Sequence, residues 1–237
     1  MTFTFAVPTI MNNPEMEIRN VEKLAKNFPT SKVHFIANVE DEDFDTYKPK
    51  YPNIVKQISG VKYSISKALN LSIDRMEHTD YYVFVQSDVT FEPSVISIFS
   101  KLAESDPKCG IVGITKRSNF HKFNKKVNVV DNILSYKVLW TDGIMFMTSD
   151  IAKKFKFDES YFGDKESQDI CYRLQEAGYN NYFIPKQENV SYAHSSVSFQ
   201  GKVKTDKVEF LDTVDNTRKI FKSKWSIWED SQKHLFV

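Results

Sequence analysis

Two places in the sequence carry acidic side chains whose neighbours suggest chemistry. The first is Asp88, which follows the apolar run Tyr81–Val85 and the polar pair Gln86-Ser87. A run of this kind is typical of a strand buried on both faces of a sheet, so Asp88 is predicted to emerge at that strand's carboxyl end. A carboxylate there suits Mg²⁺ or Mn²⁺, which also takes oxygen ligands from substrate phosphates. The alternative is that Asp88 caps the helix predicted near Pro93.

The second place is an acidic segment with five carboxylates in the twelve positions from 158 to 169. Acidic residues before and inside the first turn of a helix are favoured by the helix dipole, and that effect accounts for them without any chemistry. The functional interpretation is that one of them acts as a general base toward an acceptor hydroxyl. Asp169 and Arg173, spaced i, i+4, are expected to pair on the helix.

Two further features are candidates for binding. His194 is a lone histidine, a type that is more often structural than a metal ligand. The segment from 116 to 126 interleaves cations with two phenylalanines and is interpreted as a solvated loop or a loop that covers a donor. A sharper hypothesis is that it binds a phosphate-bearing acceptor, either a nucleic acid or a lipid diphosphate. The cations in question are Lys122, Lys125 and Lys126.

The elements that would position these side chains alternate along the chain. Strands are predicted at residues 3–7, 32–37, 53–58, 81–85, 111–114, 127–130, 143–147 and 181–185. The first is expected to end at Pro8. Helical spacing of apolar residues lies between most of them, and a helix over about 166–177 ends at Gly178, a left-handed position. The alternation predicts an α/β fold with a mostly parallel sheet and helices on both faces.

Ligands of such a sheet bind beyond the carboxyl ends of its strands. Polar residues directly after the strands are therefore the candidate binding residues. They are Thr9, Asn38, Glu40, Asp41, Gln86, Ser87 and Asp88.

Composition narrows the class of protein. The chain has 237 residues, enough for one large domain, and 41% of them are hydrophobic, which excludes a mainly disordered chain. The net charge of +1 favours neither an acidic nor a basic partner. Cys109 and Cys171 lack metal-ligand spacing and are expected to be buried, reduced thiols. No stretch approaches the roughly 20 apolar residues of a membrane span, so a cytoplasmic protein is expected.

The order of residues in the second half resembles a known family. The residues are Phe157-Asp158-Glu159, Glu166, Asp169-Ile170-Cys171-Tyr172-Arg173-Leu174, Gly178-Tyr179, Pro185 and His194. They are similar to the "FDE…ED-D-l-c-R-l…G-y…P…H" stretch of the GT-A glycosyltransferases of family 2, the group with many bacterial rhamnosyl- and glucosyltransferases. The segment from Arg218 to Trp225 resembles that family's closing "R…f…KW". Val7-Pro8-Thr9, Asn70 and Ser87-Asp88-Val89 extend the likeness to the amino-terminal half.

The resemblance implies a GT-A fold in a single domain. Residues 1–114 would be the nucleotide-sugar-binding half, 115–200 the acceptor and catalytic half, and 201–237 a closing helical segment. Asp88 matches the last acid of the DxD motif, which binds metal and donor diphosphate, but Gln86 occupies the position where the first acid often lies.

Further roles follow from the same resemblance. His194 matches the histidine that completes the metal or phosphate site. Pro8 and Thr9 match the donor-binding position after the first strand, and Glu40 or Asp41 the region near the base or ribose.

The catalytic base is the point where the sequence departs from the family. The family's acid pair maps to Glu166-Ser167, so a serine stands at the usual base position, and serine needs an activating partner to act as a base. The candidate bases are therefore, in order, Glu166, Asp164 and Asp142. A retaining mechanism stays open.

These assignments predict a glycosyltransferase that moves a sugar from a nucleoside diphosphate donor, with UDP favoured, to an acceptor hydroxyl, assisted by Mn²⁺ or Mg²⁺. The expected acceptor is a glycan or lipid-linked saccharide, with a hydroxylated base in viral DNA as a less favoured choice. One alternative is a nucleotidyltransferase, although the Gly-rich signature of that class after the first strand is missing. The other is a non-catalytic nucleotide-sugar-binding module, which Gln86 and Ser167 favour.

Overall fold

The structure is a computed structural model that describes residues 1–114, 125–130, 132–188, 190–194 and 207–232. The strands in these ranges are β1 (Phe3–Thr9), β2 (Lys32–Ala37), β3 (Ile54–Ile58), β4 (Tyr81–Val85), β5 (Val89–Phe91), β6 (Cys109–Ile114), β7 (Lys125–Val130), β8 (Ile133–Val138), β9 (Ile144–Thr148), β10 (Asn180–Phe183) and β11 (Tyr192–His194). The helices are α1 (Pro14–Asn27), α2 (Glu42–Thr46), α3 (Ile65–Asp74), α4 (Ser94–Ser105), α5 (Ser149–Phe155), α6 (Glu166–Glu176) and α7 (Lys207–Gln232).

The described strands form a central sheet of nine, in the order β3-β2-β1-β4-β9-β6-β10-β8-β7. The first four are parallel to one another, and β10 is parallel to β6. Strand β9 runs against both of its neighbours, and β8 runs against β10 and β7. Most strands therefore point the same way, and this is the mostly parallel α/β sheet that the sequence predicts.

Alternation along β4 explains why both faces of the sheet are covered. Val83 packs into one hydrophobic cluster with Phe5 and Phe35, whereas Phe84, the next residue, packs into a second cluster with Leu69. Successive side chains of a strand point to opposite faces, so a continuous apolar run needs helices on both sides. Helix α1 supplies the first cluster and α3 the second.

Strand β1 runs through Pro8 to Thr9 instead of ending at the proline. Its register with β4 stops at Ala6, but its register with β2 continues to Thr9. Pro8 therefore lies where β1 is paired on one side only, and the missing N–H of a proline is tolerated at such an edge.

A small second sheet joins β5 to β11, two three-residue strands that the sequence analysis did not predict. The strands are antiparallel, and His194 lies opposite Val89 in their register. The pairing brings the backbone of His194 next to the residue that follows Asp88.

Helix α7 packs against the loop that precedes α6. The Thr217 hydroxyl accepts a hydrogen bond from the Phe162 N–H at 2.8 Å and donates one to the Phe162 carbonyl at 3.0 Å. Gly163 has φ of +71°, and an added Cβ there would lie 3.0 Å from the Phe210 ring. No helix within the described ranges, α7 included, is long and apolar enough to span a membrane.

Candidate active site

The turn after β4, residues 86–89, is hydrogen-bonded to the segment that precedes β9. The Gln86 N–H donates to the Gly143 carbonyl at 3.2 Å, and the Val89 N–H closes the turn on the Gln86 carbonyl at 2.9 Å. Gly143 has φ of +83°, and a Cβ there would lie 2.9 Å from the Ile114 carbonyl oxygen. Only glycine allows this close approach, which sets Asp142 beside the turn that carries Asp88.

Asp88 is half-buried in this turn and does not cap a helix. Helix α4 has Pro93 at its N-cap and no capping side chain, and strand β5 intervenes between Asp88 and that helix. The alternative assignment of Asp88 as a helix cap is therefore wrong.

Helix α1 packs its polar face on the same turn. The Asn20 side chain donates to the Ser87 carbonyl at 2.9 Å. Glu17, one helical turn earlier on the same face, is buried. Burial raises the pKa of Glu17, and the negative charge of Asp88 acts in the same direction. The turn therefore has a second carboxyl group beside Asp88, which the sequence analysis missed.

The Glu17 carboxylate also shapes the loop after β1. It accepts hydrogen bonds from the Thr9 hydroxyl and, at 3.0 Å, from the Asn13 N–H, while the Met11 N–H donates to the Thr9 hydroxyl oxygen at 2.7 Å. Asn13 in turn caps α1 by accepting from the Met16 N–H. This reciprocal arrangement resembles a capping box, which could have been found in the sequence; the contact with Thr9 could not.

The candidate donor residues after β2 differ in what they contact. Asn38 is buried, and its side-chain amide donates to the carbonyls of Val61 and Ser64 at 3.1 and 3.0 Å. Asp41 caps α2, where it accepts from two backbone N–H groups, and Glu40 is exposed. Asn38 and Asp41 therefore hold the loops at this edge, and Glu40 stays accessible to a ligand.

The chemistry of these side chains fits a divalent cation that is shared with a ligand. Asp88 offers carboxylate oxygen, and the backbone of His194 lies nearby, although its side chain is outside the described part of the structure. No group of three or more acidic, histidine or cysteine side chains among the described residues is arranged to hold a metal. Carboxylate oxygen is a ligand that Mg²⁺ accepts together with phosphate oxygens and water, so the chemistry of Asp88 is compatible with such a cation.

Glu166 begins α6 and is the most perturbed carboxyl group of the site. It is 8% exposed, and its Oε2 has no hydrogen-bond partner among the described residues. Burial, helped by the charges of Asp164 and Asp142, raises the pKa of Glu166 from its ordinary value of 4.5 to about 7, against the opposite effects of a hydrogen bond from its own backbone N–H and of Lys165. A carboxyl group that changes protonation near neutral pH is suited to accept a proton in catalysis.

The charges of the other two candidate bases, Asp142 and Asp164, both act on Glu166. Asp142 is half-buried and forms a backbone bridge with Ile114 at the edge of the sheet. Asp164 accepts hydrogen bonds from the Lys165 N–H and from Arg218 Nε, each at 2.9 Å. Asp164 is held in an ion pair with Arg218. Glu166 is therefore better suited than Asp164 to accept a proton.

Asp169, one turn further along α6, anchors α7. It is completely buried and accepts hydrogen bonds from Arg173 at 2.7 Å, as the spacing predicts, and from Lys224 and Trp225 at 2.8 Å each. The Tyr161 hydroxyl adds a fourth at 3.2 Å. The "KW" pair near the end of the chain therefore fixes the helix that carries Glu166.

The structure describes only part of the segment that contains the candidate acceptor cations. Lys122 lies outside the described residues. Lys125 and Lys126 begin β7, at one edge of the sheet, but their side chains are not among those described.

Known structures share this architecture. The chain is similar to GalNAc-T7 with UDP, GalNAc and Mn²⁺, with a TM-score of 0.64, 9% identity, and coverage of 81% of this chain and 43% of that one. It is similar to S. aureus TarS 1-349 in complex with UDP-GlcNAc, with a TM-score of 0.56, 15% identity and coverage of 79% and 59%. A third is the mannosyltransferase PcManGT from Pyrobaculum calidifontis with GDP-Man and Mn²⁺, with a TM-score of 0.58, 12% identity and coverage of 78% and 56%.

The fold of the chain is thus the GT-A fold of nucleotide-sugar transferases. The chain spans about half the length of these three proteins. No protein-family model matches the sequence, and no curated protein matches it either.

Proposed function

We propose that the chain is a glycosyltransferase that moves a sugar from a nucleoside diphosphate to an acceptor hydroxyl, with Glu166 as the general base. Two observations support this proposal: the chain has the GT-A fold, and Glu166 is a buried carboxyl group whose pKa is raised to about 7 and on which the charge of Asp142, at the edge of the sheet where β4 ends, acts. Edges of this kind are where ligands of α/β sheets bind.

The donor half of the proposal rests on the turn from Gln86 to Asp88. Asp88 and His194 would hold Mn²⁺ or Mg²⁺ together with the donor diphosphate, and Mn²⁺ is favoured because two of the similar proteins contain it. When bound, the cation supplies positive charge that stabilises the leaving diphosphate. Pro8, Thr9 and Ser87 would contact the donor from the ends of β1 and β4, and Glu40 would lie near its base or ribose.

The base half of the proposal rests on Glu166. Its carboxylate takes the proton of the acceptor hydroxyl as that oxygen attacks the anomeric carbon. The bond from this carbon to the diphosphate oxygen breaks, and the electron pair leaves with the nucleoside diphosphate. Asp142 and the half-buried Asp164 would complete the acceptor side. A base in this position suits an inverting transfer.

The substrates follow from the similar proteins and from the sequence. UDP is favoured as the nucleotide because GalNAc-T7 and TarS bind UDP or a UDP-sugar, although PcManGT binds GDP-Man. We propose a glycan or lipid-linked saccharide as acceptor. Lys122, Lys125 and Lys126 would bind the phosphates of such an acceptor. A hydroxylated base in DNA is the less favoured choice. The chain would act as one domain, in the cytoplasm.

Donor hydrolysis with Mn²⁺ tests the donor half. A thermal-shift panel of UDP- and GDP-sugars selects the donor, and release of the nucleoside diphosphate is then measured for wild type, Asp88→Ala and the surface control Asp150→Ala. We expect release to be lost in Asp88→Ala only.

Two other results would indicate a different function. Donor binding without release or transfer, unchanged by Glu166→Gln, would indicate a non-catalytic module. Release of pyrophosphate from a nucleoside triphosphate in the presence of a sugar phosphate would indicate a nucleotidyltransferase. Either result would overturn the proposal.

A further inference from the structure

The charges around Glu166 come from three parts of the chain. Asp164 and Lys165 directly precede it in the chain, and Asp142, whose charge also acts on it, belongs to the segment before β9. A fourth charged residue, Arg218 of α7, donates a hydrogen bond from Nε to Asp164 Oδ2 at 2.9 Å. A helix more than fifty residues away in the sequence therefore places a positive charge beside Asp164.

Among the charged side chains of the described residues, Arg218 lies nearest to the Asp164 carboxylate. Its Nε lies 2.9 Å from Asp164 Oδ2, whereas Lys165 Nζ lies 3.7 Å from the same oxygen. Arg218 Nη1 also lies 3.6 Å from Oδ1 of Asp215, which is two-thirds exposed and precedes Arg218 by one turn of the same helix. Asp164 is half-buried, so its charge is compensated by Arg218 as well as by water.

The position of Arg218 is fixed by the packing of α7. The hydrogen bonds between Thr217 and Phe162, directly before it, tie the helix to the loop that contains Asp164. Phe221, one turn later, packs against the rings of Tyr161 and Tyr172. The guanidinium therefore meets Asp164 in a defined geometry, although its outer side faces solvent.

We propose that Arg218 is a positioning residue that controls the protonation of Glu166 by neutralising Asp164. Without Arg218, the negative charge of Asp164 would act more strongly on Glu166 and make its ionised form less favourable. With Arg218 in place, a larger fraction of Glu166 is ionised at neutral pH and can act as the base. This inference rests on the proposed role of Glu166, but its effect on the titration of that group does not require transfer activity.

The test is a titration of the glutamate side chains by NMR, with ¹³C-labelled carboxyl groups and no donor or acceptor added. Glu166→Gln identifies the signal of Glu166. In Arg218→Gln we expect the midpoint to rise by about 0.5 pH unit, and in Arg218→Lys to stay near the wild-type value because the charge is kept. Lys219→Gln, which removes the same charge from an exposed neighbour on α7, is the matched control and should leave the midpoint unchanged.

A double-mutant cycle shows whether the effect passes through Asp164. Asp164→Asn should lower the midpoint, and Arg218→Gln added to Asp164→Asn should cause no further rise. Equal shifts in Arg218→Gln and Lys219→Gln, no shift in Arg218→Gln, or a full shift in the double variant would each overturn the inference. Thermal unfolding confirms that each variant is folded. Absence of transfer activity would instead count against the proposed function and leave this titration result intact.

Discussion

The first two turns of α6 carry two buried carboxylates in opposite situations. Asp169 is surrounded by four hydrogen-bond donors from α6, α7 and the preceding loop. Glu166, three residues earlier, leaves one oxygen without a partner among the described residues. A buried acid that is fully paired holds the structure together, and one that is left unpaired is poised to exchange a proton. The comparison separates the anchor from the candidate base.

Removal of the Glu166 carboxylate should have the largest effect on activity. Glu166→Gln keeps the shape of the side chain and removes the base, so turnover is expected to fall by about 10²- to 10⁴-fold. Glu176→Gln, an exposed change at the other end of the same helix, is the matched control. Steady-state measurement of nucleoside diphosphate release with acceptor present checks the prediction. Equal activities of the two variants would remove Glu166 from the mechanism.

Removal of the Asp169 carboxylate should instead act on stability. Asp169→Ala leaves the buried Trp225 N–H without its acceptor and removes one carboxylate from Lys224 and Arg173, which keep other partners, so we expect a loss of about 1–3 kcal/mol. Urea unfolding measures the loss. A change within about 0.5 kcal/mol would show that α7 is not anchored as described.

Glu166→Gln should change stability in the other direction. The folded protein holds the pKa of Glu166 above its ordinary value of 4.5, so ionisation of this group opposes folding as the pH rises from 4.5 through about 7. At pH 8 the glutamine variant is therefore expected to be more stable than wild type, by up to about 3 kcal/mol, and the difference should vanish near pH 4.5. Urea unfolding at both pH values tests this. A less stable variant at pH 8 would contradict the raised pKa of Glu166.

The elements of the sheet were predictable where the sequence is strongly periodic or strongly apolar. Strand β4 has the predicted bounds because five consecutive apolar residues specify burial on both faces. Gly178 has φ of +84° and follows α6, as its position after the helical pattern indicates. Strands β5 and β11 were missed because three residues carry too little pattern, and their pairing depends on contacts more than a hundred residues apart.

The residue types of the candidate site could be proposed from the sequence, whereas their contacts depend on packing. Asp88 could be proposed because it follows a buried strand, and Glu166 because it is the acid next to Ser167, which stands at the base position of the family that the sequence resembles. The roles of Asp41 as a helix cap and of Arg218 as the partner of Asp164 depend on packing. Glu17 has no marked sequence environment beyond its capping position, and its burial beside Asp88 emerges only when α1 is packed on the sheet.

The pH dependence of kcat/KM for wild type and Glu166→Gln tests the central claim most directly. For wild type, we expect the rate to fall about tenfold per pH unit below pH 7, because the base must be ionised and its pKa is about 7. The glutamine variant should be slow and should lack this acidic limb. An acidic limb that persists with the same midpoint in the glutamine variant would contradict the assignment of Glu166 as the base.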